Sequence, residues 1–252
     1  MMFAAGADAY EAFMGRYSRQ LSVPFADFAG IAAGQRALDV GCGPGILTEE
    51  LVERLGAESV AAVDPSTSFV EAARARLPGV SVAEASADEL PFPDRTFDAT
   101  LAQLVVHFMP DPVAGLSEMR RVTRAGGVVA ASVWDHAGGR GPLGVFWRAA
   151  HELDLEVLDE SRLPGVREGH LAELFDAAGL RDISATALTV SREHPSFDDW
   201  WEPYTLGVGP AGAFVARLDE SQKAELRDRC RALLPEAPFT LTALAWAARG
   251  RA

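Results

Sequence analysis

The sequence predicts an α/β fold: a doubly wound, mostly parallel sheet of seven strands with a helical cap in its second half. Three observations carry this expectation. Short apolar runs alternate with segments of helical period. The runs are apolar throughout rather than at every second residue, as in strands buried on both faces of a parallel sheet. A glycine-rich turn directly follows the first run, where open α/β sheets bring a ligand against bare backbone.

Arg36 to Gly41 (RALDVG) reads as a buried first strand. Ile46, Leu47, Leu51, Val52 and Leu55 then recur near helical period, and Gly56 supplies the stop. Ser59 to Val63 is a second strand that leads into Asp64-Pro65-Ser66. Phe69, Val70, Ala73 and Leu77 mark a helix ended by Pro78-Gly79. Val80 to Ala85 and Phe97 to Val106 are the third and fourth strands, Val113 to Arg124 a helix, and Gly127 to Trp134 the fifth strand. In the second half, Phe146, Trp147, Ala150 and Leu153 mark one helix, and Leu171, Leu174, Phe175 and Ala178 another. Leu180 to Val190 and Phe239 to Ala248 are the last two strands. The segment between them is too long for a plain loop. It includes Trp200, Trp201, Pro203, Tyr204 and a helix around Leu218 to Leu234, and reads as a cap. The expected division is a helical lid over 1–34, a ligand-binding core over 35–135, a helical segment with the sixth strand over 136–194, the cap over 195–238 and the last strand over 239–252.

Of the 252 residues 48% are hydrophobic, enough to exclude an intrinsically disordered chain. The formal net charge is −13, and both halves about Trp134 are acidic. Nucleic-acid affinity comes largely from Lys and Arg on phosphates, so no nucleic-acid partner is expected. Cys42 and Cys230 are too few for a disulfide scaffold. The start, MMFAAGADAYEAF, has no basic and apolar leader pattern, and no uncharged apolar stretch of about 20 residues occurs. The expectation is a cytoplasmic protein without a membrane span, acting on a small molecule, with its oligomeric state open. His151, His170 and His194 are scattered, so no metal is predicted.

The strongest segment is Ala37 to Gly45 (ALDVGCGPG). A dinucleotide fingerprint places a third small residue five positions after the first glycine, where Ile46 stands, and Pro44 removes a backbone donor that a pyrophosphate uses. A nicotinamide-dependent oxidoreductase is thereby the weaker alternative; a cofactor-binding module without catalysis is another. LDVGCGPG, AAVDPS, LPFPDRTFD, VVHFMPDP and RRVTRAGG occur in that order from about Arg36 to Trp134. Together they resemble the class I S-adenosylmethionine-dependent methyltransferases, and within them the small-molecule and quinone group.

That resemblance implies a Rossmann-like fold, S-adenosylmethionine as cofactor, and methyl transfer to an O, N or C atom of a small, partly apolar or aromatic molecule. It also implies roles for particular residues. Asp39 would hold the ligand ammonium, or alternatively cap the loop. The turn of Gly41, Cys42, Gly43 and Gly45 would admit the methionine part. Asp64 would accept from both ribose hydroxyls, with Pro65 and Phe69 flanking the adenine. Family members commonly carry Gly-Asp-Ala where this chain has Ser86 and Ala87, so the adenine amino group would meet a neutral hydroxyl in place of a carboxylate; Asp88 is the alternative. Gln103 would lie under the methionine portion. His107 matches the first histidine of a Leu-His-His stretch, either as a general base or as a packed strand end. In the lid, Arg16 and Tyr17 would meet the ligand carboxylate. Trp134, Trp147, Trp200, Trp201 and Tyr204 would wall an acceptor pocket, or simply form cap core.

Overall fold

A computed structural model describes residues 7–157 and 159–252; the first six residues of the expected lid lie outside them. A helical stretch opens the described chain: α1 (Ala7–Tyr10), a π-helical turn (Glu11–Gly15) and α2 (Arg16–Ala29), ended by Gly30 in the left-handed region. Then come β1 (Ala37–Val40), α3 (Ile46–Leu55), β2 (Val60–Asp64), α4 (Thr67–Arg76), β3 (Ser81–Glu84) and β4 (Phe97–Gln103). They are followed by α5 (Pro112–Val122), β5 (Thr123–Trp134), α6 (Gly144–Glu152), α7 (His170–Ala177) and β6 (Arg181–His194). Helices α8 (Phe197–Trp201), α9 (Gly209–Arg217) and α10 (Glu220–Leu233) separate β6 from β7 (Phe239–Arg251).

Local chemistry sets several of these boundaries. Asp111 caps α5 by accepting from the Ala114 N–H, with Pro112 at the first helical position. Asp219 and Gln222 close a reciprocal capping box on α10.

The seven strands form one sheet in the order β3-β2-β1-β4-β5-β7-β6. β7 runs antiparallel to both neighbours, and the remaining pairs are parallel. Strand order reverses beside β1, which pairs with β2 on one side and β4 on the other, so the carboxyl ends of β1 and β4 bound a crevice. Helices α5 and α7 cover one face through Leu116, Met119, Leu171 and Phe175. Helices α2 and α3 cover the other through Leu21, Phe25, Leu47 and Leu51.

Four boundaries differ from the sequence expectation. β4 stops at Gln103, because Leu104 takes φ 63° and the chain turns into a 3₁₀ segment, Val106–Phe108. β5 begins at Thr123, before the two glycines. β6 runs on to His194 and β7 to Arg251, because the two pair from Arg181–Arg251 to His194–Phe239. Ladder hydrogen bonds hold those polar ends extended, which hydrophobic patterning does not register. Among the described residues no helix is long and apolar enough to cross a membrane.

Candidate functional site

The crevice opens into a cleft with about 1240 Å³ of empty space, its mouth included. Its floor is the row of loops at the carboxyl ends of β1 to β5. Its roof comes from Tyr10, Phe13 and Met14 of the first helix and from Val208–Ala211 at the start of α9.

The turn after β1 is held by the Gly41 and Cys42 N–H groups, which both donate to the Val63 carbonyl at 2.8 and 2.9 Å. Gly41 takes φ 72°, and a Cβ there would lie 2.5 Å from a methyl of Val105. Gly43 takes φ 54°, but a Cβ there would meet nothing within 4 Å, because it faces open space. Each glycine is needed for its backbone conformation, and Gly41 also for lack of room.

Asp64 ends β2 beside this turn. One carboxylate oxygen accepts from the Gly43 N–H at 2.9 Å and the other from the Ser66 N–H at 2.8 Å. Burial raises its pKa, and those two N–H groups oppose the rise. Each oxygen keeps acceptor capacity beyond its one backbone bond. Pro65 and Phe69 continue this wall, and Ala85, Ser86 and Ala87 form the next. The Ser86 hydroxyl donates to Asp88.

At the end of β4, the Gln103 amide donates to the Ser18 carbonyl at 3.0 Å and to the Ser22 hydroxyl at 3.1 Å, which ties the strand to α2. Its carbonyl oxygen is buried without a partner, as are Trp134 Nε1 and His107 Nδ1. The His107 ring centre lies 5.6 Å from that of His136. Burial holds His107 well below its ordinary pKa, and His136 is lowered to about 4 by the same cause. Both imidazoles are therefore neutral at pH 7.

Eleven residues singled out in the sequence thus line one cleft: Gly41, Gly43, Asp64, Pro65, Phe69, Ser86, Ala87, Asp88, Gln103, His107 and Trp134. The others lie elsewhere. Asp39 is buried beneath the floor, where it accepts from the Thr48 hydroxyl at 2.7 Å, and burial lifts its pKa to about 7. Cys42 is buried and Gly45 caps α3, both behind the turn. Arg16 reaches Asp199, 3.1 Å from its carboxylate, so its charge is already matched inside the protein. Tyr17 Oη lies 2.9 Å from His194 Nε2 rather than at the cleft wall. Trp147, Trp200, Trp201 and Tyr204 pack with Phe13, Phe146 and Phe214 into an aromatic core that supports the roof. The Phe146 and Tyr204 rings stack at 4.5 Å. Of the five aromatics expected in a pocket wall, only Trp134 borders the cleft; large apolar rings satisfy a core as readily as a pocket.

Sequence reasoning missed Glu160. It lines the cleft at 3% exposure and accepts from Trp147 Nε1 at 2.7 Å. It sits in an acidic stretch, DLEVLDE, and nothing in the spacing distinguishes it from its solvated neighbours. Among the described residues no group of three or more His, Cys, Asp or Glu side chains is arranged to hold a metal ion.

A protein family described as "Methyltransferase domain" matches residues 38–131, which hold β1 to most of β5. An uncharacterized methyltransferase of Mycobacterium bovis is 30% identical over 213 residues, which cover 82% of this chain and 76% of the relative. A chloroplastic 2-methyl-6-phytyl-1,4-hydroquinone methyltransferase of Oryza sativa subsp. japonica is 34% identical over 150 residues, 59% of this chain but only 39% of that relative's length. A solved SAM-dependent methyltransferase of Thermotoga maritima superposes with a TM-score of 0.52 at 20% identity, covering 97% of this chain and 98% of the other. That last likeness concerns the fold.

Proposed function

This chain belongs to the class I S-adenosylmethionine-dependent methyltransferases, and from that premise we propose that it transfers a methyl group to a small, partly apolar or aromatic molecule held in the cleft. The observation that carries the reading is the pairing of the Gly43 backbone with the Asp64 carboxylate at the mouth of a largely apolar chamber. Bare backbone at Gly43 leaves room where a side chain would stand, and Asp64 retains acceptor capacity for a pair of hydroxyls. The buried, unpartnered oxygen of Gln103 is a further polar atom in want of a donor. These features fit S-adenosylmethionine and give a dinucleotide pyrophosphate little, since Pro44 lacks the N–H it would use.

When bound, the cofactor supplies a sulfonium-activated methyl group whose leaving sulfur departs neutral. What remains for the chain is positioning and exclusion of water. Asp64 would hold the ribose, with Pro65 and Phe69 against the base. The neutral hydroxyl of Ser86, or Asp88 beside it, would meet the adenine amino group. Asp39, buried behind the turn, would act through the loop it anchors rather than by contact. His107, neutral and with one nitrogen unpaired, would accept a proton from an acceptor hydroxyl. Residues 1–34 serve as lid and 195–238 as cap in this reading. It is also of an intracellular enzyme without a nucleic-acid partner.

Calorimetry with S-adenosylmethionine, S-adenosylhomocysteine and NAD tests the proposal. Saturable binding of the first two and none of the third is expected, with affinity lowered about tenfold or more in Asp64→Ala. Binding of NAD alone, or an Asp64→Ala protein with unchanged affinity, overturns it.

A further inference from the structure

Glu160 stands in the loop between α6 and α7 and borders the cleft. Among the described residues Trp147 is the only side chain hydrogen-bonded to its carboxyl, through one oxygen. Burial lifts its pKa to about 7, with its own backbone N–H and the Trp147 N–H opposing the rise. Leu143, Phe13 and Val208 border the same cleft and pack in one apolar cluster with Trp147. Among the described residues the cleft is bordered by Asp64, Asp88, Asp111 and Glu160 and by the two neutral histidines, and by no Arg or Lys. A carboxylate or phosphate on the acceptor would lose its hydration beside the Glu160 carboxyl with no Arg or Lys among the described residues to meet it, which is costly. The carboxylate of S-adenosylmethionine, by contrast, enters together with its own ammonium. A neutral hydrogen-bond donor is in the opposite position, because it adds a bond to a buried acceptor for which Trp147 is the one side-chain partner among the described residues. His107 Nδ1, buried and unpaired, is a second polar atom in the same state.

We propose that Glu160 selects the methyl acceptor by accepting a hydrogen bond from a hydroxyl or amino group on an otherwise apolar frame, and that acceptors bearing a carboxylate or phosphate are refused. The proposal rests on the methyl-transfer reading above and narrows it to a substrate class. Glu160 acts in it as a binding and specificity residue; it is not assigned a step in the transfer. Trp147 positions it by occupying one oxygen and leaving the other to the ligand.

The test uses four probes of one shape: para-pentylphenol, para-pentylaniline, para-pentylanisole and para-pentylbenzoate. They are titrated calorimetrically into the full chain saturated with S-adenosylhomocysteine, and again without it. The phenol or the aniline is expected to bind about tenfold tighter than the anisole and the benzoate, and whichever leads tells hydroxyl from amine. Glu160→Leu should erase that advantage while leaving the anisole unchanged, and Glu160→Gln, which keeps a carbonyl acceptor, should retain part of it. Equal affinity for all four, preference for the benzoate, failure of both donor probes to bind, or an advantage untouched in Glu160→Leu overturns the proposal. Should the leucine variant fail to fold, the Trp147 indole N–H resonance of the unaltered protein decides. It shifts with the donor probes and not with the anisole if Glu160 is engaged, and a resonance that never moves overturns the proposal. The titrations without S-adenosylhomocysteine read the acceptor preference separately. A chain that binds neither S-adenosylmethionine nor its product refutes methyl transfer instead.

Discussion

Tyr17 and His194, 177 residues apart in sequence, meet at 2.9 Å between the phenol oxygen and Nε2. The other ring nitrogen of His194 lies 2.9 Å from Asp199, and Asp199 in turn holds Arg16. Since burial keeps His194 below its ordinary pKa, the ring is neutral at pH 7. Nδ1–H donates to the carboxylate and Nε2 accepts from the phenol. This chain of bonds pins α2, which continues the helical stretch that carries the roof residues, to the end of β6 and to α8.

Tyr17→Phe removes the phenol donor and strands a buried ring nitrogen. A loss of about 1 kcal/mol in unfolding free energy is expected, read from urea denaturation. Hydrogen exchange should quicken in α2 while β1 and β4 keep their protection. A variant as stable as the parent would mean that the bond contributes nothing net.

The two glycines of the turn should separate stability from binding. Gly41→Ala puts a methyl 2.5 Å from Val105 as well as straining the backbone, so a loss of roughly 2–3 kcal/mol is expected. Adding Val105→Ala should recover the steric part. Gly43→Ala has space around it and should cost only about 1 kcal/mol, the left-handed penalty. The same methyl protrudes into the cleft and should abolish S-adenosylmethionine binding. Thermal melts and calorimetry on both variants would reveal the contrast, and a Gly43→Ala protein that still binds would place the ligand elsewhere.

Asp39 makes a pH-dependent prediction. Its carboxyl titrates near 7 in the folded chain and near 4 in the unfolded one. The folded state therefore binds the extra proton, and the destabilisation grows as pH rises from about 4 and is complete above about 7. Asp39→Asn, which keeps an acceptor for Thr48, should remove it. A gain on the order of 4 kcal/mol is expected at pH 8, disappearing by pH 4. Denaturation curves at both values check this, and a gain that does not change with pH would exclude the ionisation as its source.

His107 should stay unprotonated well into acid, since burial and the neighbouring His136 both lower its pKa. Its ring resonances are expected not to titrate between pH 8 and 5.5. Because the folded pKa lies below the unfolded one, its contribution to stability is present above about pH 6.5 and is lost as pH falls below that. Replacement by Ala should cut turnover with cofactor affinity intact, as measured in single-turnover assays and calorimetry.

The core of the fold was legible because its signals are local. The mostly apolar β1 and β2, the glycines of the first turn and the stops at Gly56 and Pro78-Gly79 each specify backbone geometry without reference to distant residues. The cleft residues on the strand ends followed from the resemblance to the methyltransferases, laid over that frame. What escaped was long-range. Arg16 finds its carboxylate 183 residues away, and no pattern near Arg16 announces it. The length of β6 depends on its ladder with β7, since Ser191 to His194 are too polar to extend the strand read as far as Val190. Trp147 and Tyr204 carry the same composition whether they wall a pocket or fill a core. Glu160 becomes informative only once its burial is known.

The roof joins segments far apart in the chain, and this bears on its synthesis. A ribosome delivers Arg16 183 residues ahead of Asp199, and Phe13 correspondingly ahead of the Tyr204 ring it meets at 5.0 Å. Throughout that interval the nascent polypeptide has a floor with only half a ceiling. Closure over the cleft therefore waits for the α9 segment, and a product that stops before it, however well its first five strands pair, lacks the half of the roof that Val208–Ala211 supplies.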